Sequence, residues 1–340
     1  MRMRLVVLFI VVSAGFRVCG AKEPGLPPSV LVENATSRLI ELTAHVTLTN
    51  DSASDVQKYL FRLTTPPGDL PYQRSRLLPP FADAALKTHK NGVDRFLELK
   101  LALPAKKAVA KEIKFLVLLS PADYLQVSQL PVQEAERAAL QDYLRPSVLV
   151  ESAAPEIKAL SASLVGPESS ELQKVKAAYE YPARVLKFCP QEPAGAVKAL
   201  QTGRGDCTEY ASLFCALCRA SGVPARRASV FNLGSNLEIA VKQPNHDIAE
   251  VFLATHGWCP VDANVGGGKY DRPVGLAKAG HAQIMLKREG SWVWSSSIPS
   301  DGVVPDKPKP AIQVAVSWHA KVLQEGRSSD LASAFSNRRQ

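Results

Sequence analysis

The sequence predicts an α+β chain: an all-β, sandwich-like domain followed by helices packed on an antiparallel sheet. Three observations lead there. From residue 38 to about 120 the hydrophobic period is two. Near residue 150 it changes to a helical period, and after residue 225 short strand-like runs return. Runs of strands followed by mixed helices and strands define this class better than an alternating βαβ pattern would.

The N-terminus is set aside first. Arg2 and Arg4 precede an unbroken apolar run, Leu5 to Val12, and small residues Gly20 and Ala21 come before the polar Lys22-Glu23-Pro24. This is the three-part pattern of a secretory signal peptide, assigned to 1–21. The apolar run is well short of the roughly 20 residues that span a bilayer. The expected location is therefore periplasmic or extracellular, without stable membrane insertion unless the segment stays uncleaved.

The β-domain is assigned to 22–125. Ile40, Leu42, Ala44, Val46 and Leu48 alternate with polar neighbours, as do Leu97, Leu99, Leu101 and Leu103. Ile113 to Leu119 is almost continuously apolar and reads as a more deeply buried strand. Asn50-Asp51 and Asn91-Gly92 supply turn chemistry between strands. Asn34-Ala35-Thr36 and Asn50-Asp51-Ser52 fit the N-glycosylation pattern.

Residues 126–150 read as a connector, with a short helix over Gln133 to Leu144 stopped by Pro146. The second domain is assigned to 151–305. Its helices are expected at 153–164 and 169–186, the latter kinked or interrupted by Pro182, and at 206–220. Strands follow at 226–233, 237–242, 247–254, 258–262, 282–287 and 291–294. A Pro/Lys-rich stretch, 305–310, opens a C-terminal extension, 306–340, expected to be partly disordered.

Composition excludes some functions. The 340 residues carry a formal charge of +9, which falls to +6 once Arg2, Arg4 and Arg17 leave with a signal peptide. The remaining basic residues are scattered among acids without interleaved aromatics, so nucleic acid is not an expected partner. Five cysteines remain after residue 21, namely Cys189, Cys207, Cys215, Cys218 and Cys259. An odd number in an exported chain leaves at least one thiol unpaired within the chain. Cys215 and Cys218 have a two-residue gap but no second pair, and they sit mid-helix as small core residues. No metal or other cofactor is expected.

The chemistry centres on Gly203-Arg204-Gly205-Asp206-Cys207-Thr208-Glu209-Tyr210. Asp206 with Glu209 three residues on makes a capping box. Ala211, Leu213, Phe214 and Leu217 form a buried stripe, and Gly222 with Pro224 ends the helix. Cys207 thus falls in the first turn, where free N–H groups and the dipole favour a thiolate and can serve an oxyanion. A nucleophilic thiol needs a histidine, and the histidine needs an orienting carboxylate. His246 opens one strand and Asp262 closes the next. If the connecting loop holds an odd number of residues, the two share one face of the hairpin.

Three stretches then carry a resemblance. The first is Gly203-x-Gly205-x-Cys207 with Tyr210-Ala211 and Leu213. The second is Leu217-x-Arg219-Ala220-x-Gly222-Val223-Pro224-Ala225-Arg226. The third is His246 with Ala249-Glu250-Val251-Phe252 and Gly257-Trp258-x-Pro260-Val261-Asp262. Together they resemble the core of the transglutaminase-like superfamily, closely over 195–265 and loosely over 150–300. The resemblance implies a papain-like α+β core with Cys207 as nucleophile, His246 as general base and acid, and Asp262 as orienting carboxylate. It implies cysteine-dependent acyl transfer from protein or peptide amides, to water (peptidase or deamidase) or to an amine (transglutaminase). The alternative is a non-catalytic peptide- or polymer-binding protein of the same fold. Two departures stand out. Family members usually carry an aromatic two residues after the histidine, where this chain reads His246-Asp247-Ile248, and Asp247 is expected to raise the imidazole pKa. Phe188 falls near the usual upstream tyrosine, which leaves Gln201, Tyr179 and Tyr181 as candidate oxyanion donors.

Overall fold

A computed structural model describes residues 30–132, 137, 140–264, 274–299 and 311–337. The signal-peptide assignment and half of the expected 133–144 helix lie outside these residues; a 3-10 turn, Leu140–Leu144, is described there.

The alternating first third does form strands: β1 (Thr36–Asn50), β2 (Val56–Thr65), β3 (Gln73–Leu77), β4 (Lys87–Thr88), β5 (Arg95–Leu103), β6 (Lys107–Leu119) and β7 (Ala122–Asp123). Helices α1 (Pro155–Leu164) and α2 (Glu171–Val185) follow, then β8 (Lys187–Phe188), α3 (Gly195–Thr202), β9 (Arg204–Gly205) and α4 (Cys207–Ala220). The chain continues through β10 (Ala225–Asn232), β11 (Glu238–Val241), β12 (His246–Leu253), β13 (Gly257–Val261), β14 (Lys278–Ala279), β15 (Gln283–Arg288) and β16 (Trp294–Ser297). It ends in β17 (Ile312–Arg327) and α5 (Ser328–Asn337).

Two sheets make the sandwich, in the orders β11-β17-β1-β6-β3 and β16-β2-β5-β4. The inward residues Leu42, Leu48, Phe61, Leu63, Phe115 and Trp318 are at most 1% exposed and pack in one cluster. Phe231 of β10 and Ile284 of β15 belong to the same cluster, so the sandwich and the following unit share a core. The second unit is a four-stranded antiparallel sheet, β13-β12-β10-β15, against which α4 packs. Helices α1, α2 and α3 enclose α4, whose residues 208–219 are all buried.

Several expectations are corrected. The sandwich does not close within 22–125, and of the expected extension 306–340 the described residues 312–337 form a strand and a helix that belong to the sandwich. β17 pairs with β1 along its whole length, from Thr36↔Arg327 to Asn50↔Ile312, and α5 packs Leu331 and Phe335 against Leu39, Leu116 and Leu118. The physical reason is strand edges: without β17, one side of a 15-residue strand would expose its N–H and C=O groups. Strands β11 and β16, expected in the second domain's sheet, instead pair with β17 and β2 of the sandwich. Pro182 lies inside α2 without ending it. Asn50 is fully buried and donates to Ser54 and Leu103 carbonyls at 2.9 Å each, so its amide is committed to the fold rather than to a glycan.

A buried ionic chain joins the two units. Glu250 Oε2 accepts from Arg226 Nε at 2.7 Å and Arg288 Nε at 2.9 Å, and Arg288 Nη1 reaches Asp94 Oδ1 at 2.8 Å. Burial alone would raise the Glu250 pKa, but the two guanidinium groups hold it below its ordinary value. Arg226 and Glu250, both in the motif stretches, are therefore structural here.

Candidate functional site

Helix α4 positions the candidate nucleophile, Cys207. Gly203, at φ 64° in the left-handed region, ends α3 and turns the chain into β9. A Cβ on Gly205 would lie 2.3 Å from Glu209 Cβ, so only glycine fits where the loop meets the helix. The expected capping box is present: Thr208 N–H donates to Asp206 Oδ1 at 2.9 Å, and Asp206 N–H donates to Glu209 Oε2 at 3.1 Å. Glu209 is fully buried and also accepts from Ala194 N–H at 2.8 Å. Cys207 is the first helical residue, and these two carboxylates leave its own N–H untouched.

The hairpin positions the other two. The β12–β13 loop is residues 254–256, an odd number, and the register Ala249↔Val261 puts His246 and Asp262 on one face, diagonally adjacent. His246 Nε2 lies 2.8 Å from Asp262 Oδ2. Cys207, at the start of α4, is the other group that acts on this imidazole. Burial by itself would lower the His246 pKa. The bonds to Asp262 and Cys207, with their charges, outweigh it and push the value up to about 10. An imidazole held protonated beside a thiol is the arrangement that stabilises a thiolate.

Asp262 is itself held. Its Oδ2 also accepts from Gln283 Nε2 at 2.7 Å, and its Oδ1 from Asn264 N–H at 3.2 Å. Gln283 was not singled out by the sequence; it opens β15, whose place beside β10 is a tertiary fact. Asp262 and Gln283 border a small cavity of about 10 Å³ whose wall includes Tyr72, the residue before β3.

Asp247 does not act as expected. Its Oδ2 accepts from Thr208 Oγ1 at 3.0 Å and its Oδ1 from Ser229 Oγ at 2.7 Å. Strand alternation turns it toward α4, away from the face of its neighbour, and it is not among the groups that shift the imidazole. It ties the first turn of α4 to β12, which fixes Cys207 relative to His246. Of the oxyanion candidates, Gln201 is turned to Glu156 at 3.5 Å, Tyr181 lies under Arg184, and Tyr179 is buried in the helical core. Cys207, His246 and Asp262 are brought together, while Gln201 and Tyr181 make the contacts just named with Glu156 and Arg184. Cys215, Cys218 and Cys259 are buried thiols outside any disulfide, and burial pushes Cys215 up to about 12. Among the described residues no cluster of metal-ligating side chains occurs.

Fold and site together define a transglutaminase-like core. Residues 158–263 match the model of the transglutaminase-like superfamily, and the chain carries that superfamily's core. An uncharacterized protein of Haemophilus influenzae is 35% identical over a stretch covering 19% of this chain and 23% of that protein, so the chain spans under a quarter of that relative's length. Among solved structures, a "putative cysteine protease" from Cytophaga hutchinsonii superposes with a TM-score of 0.53 at 15% identity, covering 85% of this chain and 91% of that one. That likeness concerns the fold and extends over both units. The periplasmic domain of TgpA from Pseudomonas aeruginosa matches at 16% identity and a TM-score of 0.34, over 64% of this chain and 92% of that one. No helix among the described residues is long and apolar enough to cross a membrane.

Proposed function

We propose that this chain is an exported, cysteine-dependent acyl-transfer enzyme acting on protein or peptide amides. The observation that carries the reading is the His246–Asp262 contact at 2.8 Å, with Cys207 at the start of α4 favouring the protonated ring. Cys207 Sγ adds to the amide carbonyl, and the oxyanion is met by the Cys207 N–H and the positive end of the helix. The His246 imidazolium then protonates the leaving amine as the C–N bond breaks, which leaves a thioester and a neutral imidazole. That imidazole next deprotonates the acceptor, water or a primary amine, as the acceptor attacks the thioester carbonyl and expels the thiolate. Asp262 keeps the ring oriented throughout.

The test is thiol labelling across pH, followed by mass spectrometry of casein treated with the protein and a primary amine. Selective modification of Cys207 below neutral pH, lost in His246→Ala, is expected, with casein either cleaved, deamidated or amine-modified in a Cys207-dependent way. A Cys207 that labels like a free thiol, half-ionised near about pH 8.5, overturns the reading.

A further inference from the structure

We propose that Lys187 and Arg204 form a cationic rim that selects substrates bearing a carboxylate close to the reacting amide. This rests on the acyl-transfer reading above and names the substrate class for that site.

The two residues face each other across the short parallel ladder β8–β9, with Lys187 opposite Arg204 and Phe188 opposite Gly205. Both cationic side chains are exposed. Like charges directly opposed on neighbouring strands destabilise the pairing, so the arrangement works against the fold. Among the described residues neither forms an ion pair with an acid. Arg204 Nη2 contacts only the sulfur of Cys189, at 2.9 Å.

The nearby acids do not neutralise them. Asp206 is engaged with the N–H groups of Thr208 and Gln191, at 2.9 and 3.3 Å. Glu209 is buried beneath the loop on the N–H groups already described. Glu192 is a further exposed acid of this stretch and pairs with neither cation among the described residues, and the N-terminal dipole of α4 adds to their positive sign. Arg204 precedes Cys207 by three residues, so a rise of about 3.3 Å per extended residue keeps their backbones within about 10 Å of each other. A peptide bound across Cys207 would bring a side chain one to three residues from the reacting amide onto the rim.

The probe is a matched pair of alkylating reagents, anionic iodoacetate and neutral iodoacetamide, with the rate at Cys207 read by peptide mass spectrometry on the full chain. The ratio of the two rates isolates attraction for a carboxylate from the reactivity of the thiol. In the Lys187→Gln/Arg204→Gln double variant, and equally in Arg204→Glu, the iodoacetate-to-iodoacetamide ratio should fall by about three- to tenfold while the iodoacetamide rate holds. For the original chain, 1 M salt should lower the ratio similarly, because exposed charges are screened over about 3 Å at that strength. A ratio that does not respond to either variant overturns the rim and leaves the acyl-transfer reading standing. Failure of iodoacetamide to single out Cys207 in the original chain, or indifference of that rate to His246→Ala, overturns both.

Discussion

Asp262→Asn offers the sharpest perturbation of the site, because it removes a charge while keeping the side chain's shape. Asp262 is 2% exposed and His246 10%, so their contact at 2.8 Å is little screened by solvent. The rise of the His246 pKa from 6.5 to about 10 corresponds to about 5 kcal/mol of preference for the imidazolium. A hydrogen bond to a charged group contributes about 1.5–3 kcal/mol, which is about one to two pH units. The asparagine variant should therefore titrate at about 8 to 9, with the remaining elevation due to Cys207. The sign for stability follows from the same values. The folded pKa exceeds the unfolded one, so the imidazolium's contribution is complete below pH 6.5 and is lost as pH rises through about 10. The assay is a ¹³Cε1-histidine NMR titration of the full chain, with the His246 resonance assigned from its absence in His246→Gln. An imidazole that titrates near 6.5 in the original chain would refute the reasoning, as would a value unmoved by Asp262→Asn.

Two further changes test the scaffold around the site. Glu250→Gln leaves the Arg226 and Arg288 guanidinium groups buried without their shared carboxylate, and urea unfolding should show a loss of about 3–5 kcal/mol; a change below about 1 kcal/mol would mean the chain of ions contributes little. Gly205→Ala forces a Cβ to within 2.3 Å of Glu209 Cβ, so we expect a loss of about 1–3 kcal/mol and slowed alkylation of Cys207. An unchanged melting temperature would show that the loop has room.

The parts of the site that were legible are those encoded by short-range chemistry. Asp206 and Glu209 announce a helix start three residues apart, and that start carries Cys207. His246 and Asp262 lie on one hairpin, so a single loop length decides whether they share a face. Gln283 was invisible because its partner is fixed by the pairing of β10 with β15, which no local pattern specifies. Asp247 was misread for a related reason: its effect depends on which side of the strand it faces, and Thr208 and Ser229 lie on that side. The largest miss concerned β17. Ile312, Val314, Val316, Trp318 and Ala320 alternate with Gln313, Ala315, Ser317 and His319, which is a strand pattern, but its position after a Pro/Lys-rich stretch read as a tail. Sheet partnership between β1 and β17, whose paired residues lie more than 260 positions apart, is the least local information a chain carries.

That partnership bears on when the site comes into being. Between β10 and β12 the chain leaves the catalytic sheet, pairs Glu238 to Val241 with Trp318 to Lys321 of β17, and returns directly to His246. The residue that must meet Cys207 is thus delivered by a segment whose own hydrogen-bonding partner is made among the last. During synthesis, α4 and its thiol precede β17 by about a hundred residues, and β1 waits for that strand with one edge open. A chain lacking residues 312–327 would leave β11 and one edge of β1 unpaired, while His246 keeps the partners of its own strand, β10 and β13.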